Sequence, residues 1–114
     1  MHPVAGIHHI TAVAGNAVEN WRFYNRVLGE RMVKKTVNFD DPGTYHLYYG
    51  DYEGSPGTLL TFFPWEQMQR GRTGNNQVSA VVYAIPENSL AYWSDRLQQH
   101  DVSVAKVVRF GTDV

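Results

Sequence analysis

The stretch GIHHITAVAGNAVENWRFYNRVLG, residues 6–29, decides the fold because it joins a strand pattern directly to a helix pattern. Residues from Ile7 to Ala14 alternate weakly and are rich in β-branched side chains, which predicts a strand that ends at Gly15. Asn16 can cap the next element, and Glu19, three residues later, matches a capping box. A helix therefore follows the first strand almost without a loop.

This helix has one apolar face. Its apolar side chains recur at spacings of three and four residues, at Ala17, Trp21, Tyr24 and Leu28. Gly29 then supplies the stop. We expect the last three of these side chains to be buried against a sheet, and Arg22 and Arg26 to be exposed.

Three strand-like runs come after the helix, over Arg31–Phe39, Thr44–Tyr49 and Thr58–Phe63. They are separated by the segments DDPG and DYEGSPG, whose Asp, Pro and Gly residues favour turns. Because these connections are short, the strands are expected to form antiparallel hairpins. The predicted order is therefore βαβββ.

The pattern restarts about 70 residues later, as expected of an internal structural repeat. Val78 to Ile85 is strand-like, Leu90, Trp93 and Leu97 share a helical face, and Val102 to Phe110 is again strand-like. We predict an α+β protein with a βαβββ module in residues 1–66, a linker in residues 67–76, and a partial strand-helix-strand module in residues 77–114. The first module should have a curved, mostly antiparallel sheet with its helix on the convex face.

The composition excludes several classes of protein. Hydrophobic residues make up 43% of the chain and charged residues 18%, which indicates a folded interior rather than disorder. The formal net charge is −1, so nucleic acid and anionic membranes are poor partners. The chain has no cysteine, no run of membrane-spanning length and no signal-peptide pattern, and we expect a soluble cytoplasmic protein.

The paired histidines raise the question of a metal site. Strand alternation places Ile7, His9, Thr11 and Val13 on one face, and His8, Ile10, Ala12 and Ala14 on the other. The second set, with its small alanines, suits close packing beneath the helix, so His9 is expected to face the open, concave side beside Thr11. A neutral imidazole is a common ligand of divalent metals. The alternative is that both are ordinary histidines satisfied by hydrogen bonds.

His46 and Tyr48 are further candidates, because Thr44, His46 and Tyr48 share one face of a predicted strand. A face of this kind can stack on an aromatic ligand and donate hydrogen bonds to it. The alternative is that these rings only bridge the core and the surface. His2 and His100 are given no role.

Three segments carry a family resemblance: GIHHITAVAGN, FYNRVLGERMVKKTVNFDDPGTYHLYYGD and GSPGTLLTFFPW. Together they resemble the opening of ring-cleaving dioxygenases of the vicinal oxygen chelate superfamily, in particular the hydroquinone-type extradiol enzymes. The family sequence LVKKTVNFDDPGTYHLYYGD differs here by Met32 in place of Leu. The resemblance implies βαβββ modules paired into barrels, with Fe(II) or another divalent metal held by two histidines and a glutamate on the concave face.

Carried over by position, the first metal histidine of the family corresponds to the HHI segment, and strand parity selects His9. The other histidine and the glutamate belong to a later module, and Ala80, near the position that matches His9 in the second unit, cannot bind a metal. The resemblance thus implies the N-terminal portion of an iron-dependent dioxygenase for hydroquinone- or catechol-type aromatics, inactive as this chain. Thr11, His46 and Tyr48 are its expected substrate-pocket residues.

Two other functions stay open. One is a metal-free module that binds small molecules, and the other is a glyoxalase-like isomerase or lyase that uses a different divalent metal. In each case a small ligand is expected, together with a homodimer or higher assembly through the incomplete sheet, since an open edge and an uncovered face favour association.

Overall fold

The computed structural model describes residues 2–105 of the chain. The chain divides into two compact units, residues 1–72 and residues 73–114. The division lies within the segment predicted to be a linker.

A four-stranded mixed sheet forms the first unit. Its strands are β1 (His9–Ala14), β2 (Arg31–Val37), β3 (Tyr45–Gly50) and β4 (Leu59–Pro64), in the spatial order β1-β4-β3-β2. The pairs β2–β3 and β3–β4 are antiparallel, whereas β1 runs parallel to β4. The predicted βαβββ order and the two antiparallel hairpins are confirmed, with strand ends that differ by up to two residues.

The helix begins and ends as its sequence predicts. It starts as α1 (Ala17–Trp21), and the backbone N–H of Glu19 donates to Oδ1 of Asn16 over 3.0 Å, so Asn16 is its N-cap. Gly29 has a φ of +77°, the left-handed conformation in which glycine costs least, and its N–H bonds to the carbonyl of Asn25.

Between these ends the helix widens. Residues Arg22–Val27 form a π-helical segment, in which the N–H of Leu28 bonds to the carbonyl of Phe23, five residues earlier. In this segment Val27 is buried, whereas Leu28 is only half-buried. The prediction that Leu28 is buried was therefore wrong. Trp21 and Tyr24 pack on the sheet but are also only partly buried, and Arg22 and Arg26 are exposed as predicted.

The core lies between the helix and one face of the sheet. Leu47 and Tyr49 of β3 and Leu60 and Phe62 of β4 are its buried centre. The partly buried side chains packed against it include Ile10, Ala12, Ala14, Ala17, Trp21, Tyr24 and Met32. Alternation along β1 is thus confirmed for Ile10, Ala12 and Ala14, which face the core, while His9, Thr11 and Val13 are exposed on the other face.

A β-bulge changes the alternation of β2. Met32 pairs with Tyr49 and Lys34 pairs with Tyr48, so Val33 is the extra residue between them. Because Tyr49 and Tyr48 lie on opposite faces of β3, the bulge places Met32 against the core and Lys34 on the opposite face. Strict alternation would have put both on the same face.

The second unit contains one described helix, α2 (Leu90–Gln99). The strand predicted over Val78–Ile85 is not observed, and its apolar side chains include Val78 and Val82, exposed to 68% and 88%. In the first unit, β1 is hydrogen-bonded along its whole length to β4. Residues 73–105 contain no strand that could form such a hydrogen-bonded pair with residues 78–85. Residues 102–105 form no strand either, and the rest of the predicted strand Val102–Phe110 lies outside the described residues.

Candidate functional site

The sheet face opposite α1, called the open face below, brings the predicted site residues together. The register aligns Thr11 with Thr61, Thr61 with Tyr48, and Tyr48 with Lys34, so one residue from each strand forms a row across the sheet. His46 lies beside this row on β3. His9 lies on the same face of β1, two residues before Thr11.

Hydrogen bonds connect three residues of this row through His46. The hydroxyl oxygens of Thr11 and Thr61 are 2.7 Å apart, and Oγ1 of Thr61 is 2.9 Å from Nε2 of His46. The other ring nitrogen of His46, Nδ1, is 2.9 Å from the hydroxyl of Tyr48. Four polar side chains from three strands thus form one continuous network.

Aromatic contacts hold the His46 ring from two sides. Its centroid is 4.2 Å from that of Tyr48 and 4.1 Å from that of Phe63, with interplanar angles of 38° and 32°. The ammonium group of Lys34 lies 5.4 Å from the centre of the Tyr48 ring, within the range of a cation–π contact. The imidazole plane is therefore fixed by packing as well as by hydrogen bonds.

The surroundings of His46 favour its neutral form. Partial burial is the largest cause that lowers the pKa of His46 below its usual value, and electrostatic interactions with His9 and Lys34 lower it further. Both effects disfavour a second proton on the ring. A neutral imidazole has one N–H donor and one acceptor nitrogen, which suits a ring placed between two hydroxyl groups.

His9 is exposed, and its ring contacts the ring of His8. Its Nδ1 is 3.1 Å from Nδ1 of His8, and the two rings meet edge to face. His8 precedes β1 and is exposed, so the expectation that it packs beneath the helix was wrong. It lies just outside the strand, where alternation no longer determines the direction of its side chain.

Thr61 was missed by the sequence analysis. It is a polar residue within the apolar strand segment LLTFFP, and it is fully buried. Its hydroxyl joins Thr11 to His46. Buried hydroxyl groups need hydrogen-bond partners, so a threonine between core residues was the available signal. The chain of contacts across β1, β4 and β3 could not be inferred without the register.

Comparison with known proteins identifies the family. Residues 6–111 match the profile of the Glyoxalase/Bleomycin resistance protein/Dioxygenase superfamily. The chain belongs to this superfamily. The predicted resemblance is therefore confirmed at the level of the family, and the α+β fold with it.

Two curated relatives that are more than 40% identical to this chain have names that include the word dioxygenase. The chain is 53% identical over 106 residues to MhqO of Bacillus subtilis (strain 168), provisionally named a ring-cleaving dioxygenase. It is 42% identical over 111 residues to the chlorohydroquinone/hydroquinone 1,2-dioxygenase of Sphingobium indicum. These matches cover 93% and 95% of this chain but 34% and 35% of the relatives, so the superfamily member described here spans about a third of their length.

A solved structure shows the same fold. The crystal structure of a provisionally named dioxygenase from Bacillus subtilis matches with a TM-score of 0.89 and 53% sequence identity. The match covers 93% of this chain and 34% of that one.

Proposed function

We propose that this chain is the N-terminal part of a longer, metal-dependent ring-cleaving dioxygenase that acts on hydroquinone- or catechol-type aromatics. The observation that carries the proposal is the 42% identity, over 95% of this chain, to a chlorohydroquinone/hydroquinone 1,2-dioxygenase. The polar network on the open face provides groups suited to an aromatic ligand with hydroxyl substituents. A cytoplasmic location stays a prediction.

His9 is the proposed metal ligand of this chain. Its imidazole is exposed on the open face, and neutral imidazole is a donor that iron and other divalent metals accept. Residues 2–105 contain no group of three histidine, aspartate or glutamate side chains able to hold a metal ion. The described residues therefore do not fit a complete metal site, and we propose that the remaining ligands come from other parts of the longer enzyme.

The other open-face residues are proposed to bind and orient the aromatic ring. Thr11 and Tyr48 present hydroxyl groups, and His46 is placed between them through Thr61. Phe63 adds an apolar surface beside His46. Apolar walls with a few placed polar groups are the usual composition of small-molecule sites.

A metal-free binding module is the second candidate, since the hydrogen-bonded groups of Thr11, Thr61, His46 and Tyr48 can bind a small ligand without a metal. The glyoxalase-like isomerase or lyase also stays open, because one fold supports many reactions. In the longer enzyme, stoichiometric iron would support the dioxygenase, whereas zinc or nickel would support the isomerase or lyase. A protein with no metal would support the binding module.

A paramagnetic titration of this chain tests the role of His9. Mn²⁺ added to the isotope-labelled chain should bind weakly and broaden the NMR signals of His9 first. His9→Ala should lose this broadening, whereas His100→Ala, at the exposed end of α2, should keep it. Broadening centred on another residue, or unchanged in His9→Ala, would reject His9 as the ligand.

A further inference from the structure

The four-residue network on the open face has a direction. Each hydroxyl group donates one hydrogen, and a neutral imidazole donates from one nitrogen and accepts at the other. If Nε2 of His46 carries the hydrogen, it donates to Thr61, and Tyr48 must donate to Nδ1. If Nδ1 carries it, every bond in the network reverses.

The network ends in the phenol of Tyr48 and the aliphatic hydroxyl of Thr11, and the difference between these two groups selects one direction. A phenol is a stronger hydrogen-bond donor than an aliphatic alcohol, so Tyr48 is the better donor of the two kinds of hydroxyl group. It should therefore donate to Nδ1 of His46, and Nε2 should donate to Thr61. Because Thr61 is buried, its own hydrogen also needs an acceptor, and Oγ1 of Thr11, 2.7 Å away, accepts it.

We infer that His46 is a positioning residue which, as the Nε2–H tautomer, makes the Thr11 hydroxyl a donor toward the ligand of the open face. This inference rests on the proposed function for the existence of that ligand. With its oxygen occupied by Thr61, Thr11 keeps its hydrogen for an acceptor oxygen of the aromatic ligand beside His9. Tyr48, whose hydrogen is used by His46, presents only lone pairs.

The geometry makes this direction difficult to change locally. Thr61 is fully buried, so no water competes for its single hydrogen or its lone pairs. The His46 ring packs against both Tyr48 and Phe63, which opposes a ring flip. Reversing the donor and acceptor at one end of the network therefore requires the same reversal in every other hydrogen bond of the network.

NMR of the nitrogen-labelled chain measures the tautomer of His46 directly. We expect a protonated Nε2 and an unprotonated Nδ1 in the native chain. Thr61→Val removes the acceptor of Nε2–H and should produce a mixture of tautomers. Thr61→Ser keeps the hydroxyl and should restore the native signature, which a packing role alone would not require.

Tyr48→Phe and Tyr45→Phe form a matched pair on β3. The first removes the donor to Nδ1 and should speed the exchange of the Nε2 hydrogen with water at least several-fold. Tyr45 lies on the other face of β3, where its ring contacts Lys35, and its variant should leave the exchange unchanged. A native Nδ1–H tautomer, or equal effects of the two variants, would overturn the inference.

A ligand titration tests the consequence at Thr11. The probe is 4-nitrophenolate, an aromatic ring with one strong acceptor oxygen, and its binding is followed by the amide signals of Thr11 and His9. Thr61→Val should weaken the response several-fold and Thr61→Ser should preserve it. Equal responses in all three proteins would overturn the role of the network. No response in the native chain would reject this face as the ligand site of the proposed function, while the tautomer measurement would still decide the direction.

Discussion

Oγ1 of Thr11 lies 2.7 Å from Oγ1 of Thr61, so a side-chain hydrogen bond joins the edge strand β1 to the interior strand β4 on the open face. Thr61 is fully buried, and the same oxygen contacts Nε2 of His46. One small hydroxyl group therefore links the three strands that carry the candidate site residues. Stability and site geometry depend on the same atom.

Thr61→Val should lower the free energy of unfolding by about 1–3 kcal/mol, because it leaves the buried partners of the hydroxyl without a hydrogen bond. The shape of the side chain is nearly unchanged, so little of the loss would come from packing. Thr36→Val, on the edge strand β2, is the matched control. Equal unfolding free energies for the two variants in urea would show that the Thr61 hydroxyl does not stabilise the fold.

Val27→Ala should destabilise the protein by about 2 kcal/mol, from lost burial and a residual cavity. Val27 is only 7% exposed at the end of the π-helical segment, whereas Leu28 is half-buried. Leu28→Ala should therefore cost less, although it removes more atoms. Urea denaturation of both variants decides the order, and a larger loss for Leu28→Ala would mean that the helix face is assigned incorrectly.

Local patterns predicted much of the fold. The alternation of Ile10, Ala12 and Ala14 identified the buried face of β1, and Asn16 and Gly29 marked the two ends of the helix. These features depend on neighbouring residues and on intrinsic backbone preferences. They are therefore visible in the sequence before any tertiary contact is known.

Other features depend on distant contacts and could not be predicted. Val27, and not Leu28, is the buried residue at the end of the π-helical segment, and the bulge at Val33 places Lys34 on the open face. The segment 78–85 has strand-like residues, but a strand also requires a hydrogen-bonded neighbour. The role of Thr61 followed only from the register of three strands.

The alkaline stability of the protein should depend on Tyr49. Burial, followed by the charges of Tyr24 and Glu30, raises the pKa of Tyr49 to about 12. The unfolded chain releases this proton near pH 10, so the contribution of Tyr49 to stability is complete below pH 10 and is lost as the pH rises from about 10 to 12. Burial and the charge of Glu30 also raise the pKa of Tyr24, so part of the effect belongs to that residue.

Tyr49→Phe should reduce this alkaline loss, although it also removes the hydrogen bond from the Tyr49 hydroxyl to Oδ1 of Asn20. The measurement is the free energy of unfolding from pH 8 to pH 12 for the native chain and the variant. The two profiles should converge as the pH rises. Parallel profiles would show that Tyr49 has an ordinary pKa in the folded protein.

We expect the isolated chain to self-associate. The segment 78–85 exposes apolar side chains without a paired strand, and β1 and β2 are the edges of the described sheet. Val82→Lys places a charge on a side chain that is 88% exposed and should lower the association constant, whereas Val4→Lys, 92% exposed near the N-terminus, should not. Sedimentation equilibrium at micromolar concentration measures the association constant. A native chain that stays a monomer would contradict the predicted self-association.

Oxygen uptake by a chimaeric enzyme tests the proposed function most directly. This chain would replace the matching 106-residue segment of MhqO from Bacillus subtilis, over which the two are 53% identical. With bound iron and hydroquinone as substrate, we expect uptake by the chimaera and by its His8→Ala variant, and loss of both iron and uptake in His9→Ala. Full activity and iron content in the His9→Ala chimaera would contradict the assignment of His9 as a metal ligand of a ring-cleaving dioxygenase.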